Sequence, residues 1–361
     1  MKRKEMAKKL ISLLGVGVMA FMIGCGNGAG STETSSNGGG SDELVIDCAG
    51  GATMEAMEKS MFEPFTEKTG TKITTVEGQD YAKLKAMVES GNVEWDIAYF
   101  DAYIIPKAEK DGLLEKIDWN VVKTKDELDS SVNSDYCVVY DLSTKNICYN
   151  TNTYSEENHP TTWAEFWDVE KFPGKRGLQK DPMPLFEIAL LADGVSKEDM
   201  YPIDMDRVFK SLDKIKPYVS VWWESSAQAA QLLSDGEVDL IDAWSGRVLA
   251  AKDEGSPVGL ELNQAILSPD VWVIPKGAKN KDKAMEFLAF QSQAQISADY
   301  VSLYPYGPGN SKAYDLLSEE NYDKLMVTPE VRDSQLTISA EWWSENYDEA
   351  VERLSAWLLE G

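Results

Sequence analysis

Apolar and polar positions between residues 43 and 112 switch repeatedly between two periods. Leu44–Cys48 is a short apolar run that predicts a strand, closed by the Gly50-Gly51 turn. Met54, Met57, Met61 and Phe65 recur at helical spacing, so they share one face of a helix that Gly70 ends. Lys72–Val76 alternates as a strand does. Asp80 caps a helix carrying Leu84, Met87 and Val88, and Gly91 stops it. Trp95–Phe100 is the next strand, and Pro106 opens a helix that ends near Gly112. This βαβαβα opening predicts a parallel sheet with helices on both faces.

The same logic returns further along. Ser225 and Ser226 cap a helix carrying Leu232 and Leu233, Gly236 closes it, and Val238–Trp244 is a strand. A helix then runs from Gly246 to Gly255. Asp270–Ile274 is a strand, and Asn280 caps a helix with Ala284, Phe287 and Leu288 inward. Trp343, Tyr347, Val351, Leu354 and Leu358 form one stripe of a C-terminal helix, with Trp357 beside it. Such a stripe is packing surface. No internal repeat is present.

The first residues have another character. Lys2, Arg3, Lys4, Lys8 and Lys9 precede an apolar run, Leu10 to Gly24, that is shorter than the roughly 20 residues a spanning helix needs. This fits a secretory signal peptide over residues 1–24. Met22-Ile23-Gly24-Cys25 resembles the lipobox of bacterial lipoproteins, which implies lipidation of Cys25 and anchoring to the outer face of the cell membrane. Residues 25–42 are rich in Gly, Ser, Thr and Asn and read as a flexible tether. Beyond them, Cys137-Val-Val-Tyr and Lys-Asn-Ile-Cys148 flank Asp141-Leu-Ser-Thr144 as a hairpin would. In that register Cys137 faces Cys148, and the pair either bonds outside the cell or stays as two buried thiols. Cys48 is left as a small core residue.

Composition removes several classes of function. The chain has 361 residues, enough for two domains, and a formal net charge of −26, which makes nucleic acid and anionic membrane surfaces poor partners. Its one histidine, His159, lies in a polar turn, so multi-histidine metal sites are excluded and histidine chemistry is a poor fit. No phosphate-binding or dinucleotide-binding glycine loop, metal-spaced cysteine pair or calcium loop is present. The sequence thus points to no cofactor, no metal and no enzyme.

Five segments carry a family resemblance: FEPFTEKTGTKI (62–73), ESGNVEWDIAYFD (89–101), LLSDGEVDLIDAWSGR (232–247), SPDVWVIPKGAKNKDKAMEFLAF (268–290) and YPYGPGN (304–310). In this order the chain resembles the extracellular solute-binding proteins of ABC importers, specifically the spermidine/putrescine-binding group. The resemblance implies a type II-like periplasmic-binding-protein fold, with two α/β lobes, each with its own sheet, joined by hinge strands around a ligand cleft. It implies one lobe from residues 43–142 and 269–309, and the other from 143–268 and 310–361. It also implies a monomer that hands a small amine to a permease and its ATPase.

The residues support a cleft for a cation. A buried ammonium must be paired, and aromatic faces suit its methylenes and its charge. Trp244 ends a strand, Asp270 begins one and Tyr306 lies in a Gly/Pro loop. By resemblance Trp244 is an aromatic platform, Asp270 grips an amine, Asp181 is a second acid and Tyr306 a cleft tyrosine. The turns with Gly51, Thr53, Phe100 and Asp101 fall where ligand contacts lie. Two positions depart from the polyamine pattern: Ser268 stands where an aromatic residue would stack, and Pro184 where a further glutamate would hold an amine. Arg247 can pair a ligand carboxylate in bidentate fashion. The main reading is therefore a polyamine such as putrescine or spermidine. The alternatives are an amino acid such as 4-aminobutyrate, a ferric-ion or anion binder, and a secreted enzyme.

Overall fold

The computed structural model describes residues 42–360 except Asn133. The expected signal peptide, Cys25 and all of the tether but its last residue lie outside the described residues. The strands are β1 (Glu43–Cys48), β2 (Lys72–Glu77), β3 (Ile97–Asp101), β4 (Cys137–Asn150), β5 (Arg176–Gln179), β6 (Val219–Trp223), β7 (Leu240–Trp244), β8 (Val258–Val273), β9 (Gly307–Pro308) and β10 (Leu336–Thr337).

The opening folds as its periodicity predicts. β1 lies between β2 and β3 and parallel to both, with Glu43 opposite Lys72 and Ile46 opposite Ile97. The helical run after β1 buries Met57, Met61 and Phe65, and Gly70 ends it at φ 76°. The Asp80 carboxylate accepts from the Lys83 N–H and starts the next helix, Tyr81–Ser90. A second parallel group, β7–β5–β6, forms the other half.

β4 and β8 join the halves. The C-terminal part of β8 pairs antiparallel with β3, and the first part of β4 pairs with β8. Further along, β4 pairs with β7 on one edge and with the start of β8 on the other. The two expected sheets are thus continuous, in the order β2-β1-β3-β8-β4-β7-β5-β6. Separate cores flank them: Phe65, Ile97, Trp272 and Phe287 on the β1 side, and Trp163, Phe186, Leu212 and Trp343 on the β5 side.

The hairpin expected at Cys137–Cys148 does not form. All 14 residues of β4 are buried and extended, because Asp141, Leu142, Ser143 and Thr144 each pair with β8 instead of turning. At a rise of about 3.3 Å per residue the two thiols are roughly 36 Å apart, far beyond disulfide reach. Both are free and buried, as is Cys48.

Candidate functional site

Strand ends converge between the two halves, where open α/β sheets offer ligand sites. Ala49 follows β1, Gln79 follows β2, Asp101 ends β3, Ser226 follows β6 and Trp244 ends β7, and all five line one cavity of about 200 Å³. Tyr140, Ser143 and Asp270 reach it from the hinge strands. Thr53, Tyr99, Arg247, Tyr304 and Tyr306 complete it.

One end is acidic. Asp270 on β8 is directly opposite Asp101 on β3 and Asp141 on β4, so three carboxyls stand in a row across three adjacent strands. Side chains so paired share a face with Cβ atoms about 5 Å apart, and like charges there repel. Asp101 accepts from Gln79 Nε2 at 2.9 Å and from the Ser268 hydroxyl at 3.5 Å. Asp141 accepts from the Tyr300 hydroxyl at 2.8 Å, and its other oxygen has no hydrogen-bond partner among the described residues. Burial, then the neighbouring carboxyls, hold Asp270 well above the usual carboxylate range. Burial pushes Asp141 up to about 7 and raises Asp101. Burial and mutual repulsion thus favour the protonated forms of the row, and a cation beside it would favour the ionised ones.

Arg247 is the one cation among the described residues lining the cavity. Arg247 projects from the first turn of the helix Ser245–Asp253, which follows β7. Its Nη2 lies 3.4 Å from the Gly50 carbonyl, and among the described residues it has no carboxylate partner. Gly51 has φ 66°, which calls for glycine, and it lies against the Arg247 guanidinium, since an added Cβ would be 2.6 Å from Nη1. Gly246 likewise admits the Tyr304 hydroxyl, which would lie 2.0 Å from an added Cβ.

Of the residues singled out in the sequence, Trp244, Arg247, Asp270, Asp101, Thr53 and Tyr306 meet in this cavity. Gly51 abuts Arg247 and does not line it. Phe100 packs in the core and lines a second cavity of about 270 Å³, bounded also by Tyr103, Trp343 and Tyr347. Asp181 lines neither. Its carboxylate caps the helix Pro182–Ala192 through the Met183 N–H and accepts from the Tyr347 hydroxyl at 3.0 Å. Sequence reading missed Asp141, Gln79, Tyr99, Tyr140 and Tyr304. Asp141 had one signal, an acid inside the apolar run Val138–Leu142.

Raised acids have a consequence for stability. Burial also pushes Asp47 and Glu187 up to about 7. Glu187 accepts from Tyr201 and Trp343, whereas neither Asp47 oxygen has a partner among the described residues. Each group holds its proton in the folded state after the unfolded chain has lost it, so stability falls as pH rises from about 4 through 7. Lowered acids such as Glu165, held at about 2 mainly by Lys171, act below that window. Thermal unfolding of the ligand-free protein should give a higher midpoint at pH 5 than at pH 8. A midpoint that rises across that range contradicts this assignment.

Residues 60–326 match the family described as bacterial extracellular solute-binding protein. The chain is 33% identical over 323 residues to the gamma-aminobutyric acid-binding protein of Pseudomonas aeruginosa, covering 88% of this chain and 91% of that one. It is 26% identical over 321 residues to the spermidine/putrescine-binding periplasmic protein of Escherichia coli, covering 84% and 89%. Among solved structures it is similar to an ABC transporter substrate-binding protein from Bradyrhizobium japonicum, with a TM-score of 0.84, 35% identity, and coverage of 87% of this chain and 99% of that one.

Proposed function

The chain belongs to the bacterial extracellular solute-binding proteins, two-lobed binding components of ABC importers, and we propose that its cleft captures a small zwitterion carrying an ammonium and a carboxylate, such as 4-aminobutyrate. It binds its ligand and does not convert it. One observation carries the reading of the ligand: Arg247, without a carboxylate partner among the described residues, lines the same cavity as the Asp101–Asp270 pair. The acidic row pairs the ammonium, Arg247 pairs the carboxylate, and Trp244 with the tyrosines covers the methylenes between them. The 33%-identical relative named for gamma-aminobutyric acid supports this.

A polyamine fits less well. A second ammonium near Arg247 meets a like charge, Ser268 offers no stacking face, and Asp181 is already engaged by Tyr347. The polyamine-binding relative is also less similar, at 26% identity. Calorimetry of the purified protein should show tighter binding of 4-aminobutyrate than of putrescine or spermidine. The reverse order overturns the zwitterion reading.

The lobe division is part of the same proposal, with one change. The last crossing belongs after Val327 and not at 309/310, since Leu317, Leu325, Met326 and Val327 pack on the β1–β3 side. The helix Ala340–Leu359 packs with the β5 side. Lipidation at Cys25 rests on the sequence of residues 1–25, and a monomer handing its ligand to a permease and ATPase rests on the resemblance.

A further inference from the structure

Behind the Trp244 wall lies a buried cation with no part in the contacts described so far. Lys145 sits in the middle of β4, fully buried, directly opposite Trp244 on β7. Its Nζ is 3.1 Å from Asp242 Oδ2 and donates to Gln179 Oε1. It also faces the rings of Trp223 and Trp244, 4.4 and 5.2 Å from their centroids. Asp242 is equally buried. Its Oδ1 accepts from Trp223 Nε1 at 2.9 Å and from the Gln179 N–H at 3.0 Å.

The two charges face each other, although Asp242 Oδ2 makes no hydrogen bond among the described residues and burial works against both. Asp181, at the start of the helix Pro182–Ala192, is the other acid that feels Lys145. Replacing a buried pair by apolar residues is often neutral or stabilising, so stability alone does not call for this one. Removing one member is different, because it uncovers the other. An uncovered Asp242, two residues before Trp244 on the same strand, would put an uncompensated carboxyl behind the Trp244 wall of the cavity.

We propose that Lys145 is a specificity-determining residue: by neutralising Asp242 behind Trp244 it denies the cavity a second ammonium site and leaves Arg247 to select a carboxylate. This rests on the zwitterion reading of the cleft. It acts through Trp244 and Asp242, without touching the ligand.

The test compares the ratio of dissociation constants for 4-aminobutyrate and putrescine in wild type and in Lys145→Met, by calorimetry at pH 8.5 and pH 6. The ratio should move toward putrescine by about tenfold at pH 8.5, since higher pH favours the ionised form of the uncovered carboxylate. At pH 6, which favours its protonated form, the shift should be smaller. The double variant K145M/D242N should return the ratio to the wild-type value. If Lys145 only supports the packing of Trp244, both ligands weaken together and the ratio stays fixed at both pH values, which overturns the proposal. Lys145→Gln, which can still hydrogen-bond Gln179, serves the same comparison if the methionine variant does not fold. A wild type that prefers putrescine refutes the zwitterion reading, yet the shift relative to wild type still decides the role of Lys145. A wild type that binds neither ligand overturns both.

Discussion

Arg247→Ala should lower the affinity for 4-aminobutyrate by about 2–5 kcal/mol, roughly thirtyfold or more, and leave putrescine unchanged or tighter. The size follows from the geometry. Among the described residues the guanidinium has the Gly50 carbonyl at 3.4 Å and no carboxylate, so a ligand carboxylate would supply its charge partner. Without Arg247 that carboxylate enters the cleft unpaired, and the cost of its desolvation is not recovered. A diamine loses nothing, and a like charge near its second nitrogen disappears. Lysine should rescue only part of the effect, because it lacks the planar fork that matches a carboxylate. Equal weakening of 4-aminobutyrate and putrescine would remove Arg247 from the site.

The second large effect concerns Asp270. Asp270→Asn keeps the shape of the acidic row and removes its central charge, so 4-aminobutyrate should bind about thirtyfold or more weakly. The same change should raise the thermal midpoint of the ligand-free protein at pH 8, since it relieves one of three facing carboxyls. Lost binding with gained stability is the signature of a site held at a cost to the fold.

Proton exchange provides an independent reading. In the free protein, burial keeps Asp270 well above the carboxylate range and Asp141 at about 7. An incoming ammonium favours the ionised row, so binding should release up to about one proton per ligand near neutral pH. Affinity should then rise with pH between about 5 and 8. Calorimetry in buffers of different ionisation enthalpy measures this directly, and Asp270→Asn should reduce the release. An affinity that falls as pH rises through this range would mean that the ammonium binds elsewhere.

Much of the architecture was legible in the sequence because it is written in short-range patterns. The helices carrying Met57 and Leu84, and the strand ending at Trp244, follow from periodicity and from caps such as Asp80 and Ser225. The hinge strands were not legible. Cys137–Asn150 mixes Asp, Ser, Thr, Lys and Asn into a fully buried strand, and β-strands with that composition read as turns. The same failure produced the false hairpin. It also hid the acidic row, because Asp101, Asp141 and Asp270 are far apart in sequence and meet only through register. Trp244 is legible at a strand end and Arg247 just after it, whereas Asp270, expected to begin a strand, lies inside β8. Asp181 looked equally well placed; its cap on the Met183 N–H is a local contact that an Asp-Pro helix start allows, whereas its bond to Tyr347 is a tertiary contact that no local pattern carries.

The ladder between β4 and β8 also bears on how the chain is made. Ser143 donates to the Ser268 carbonyl across 125 residues, and β3 has no partner on its β8 side until Asp270–Val273 arrives. A chain crossing a membrane from its N-terminus therefore cannot complete the β1–β3 half until most of its length has emerged. Non-local pairing of this kind folds slowly. A polypeptide that cannot close its first sheet early would stay threadable for longer, which would suit passage across a membrane.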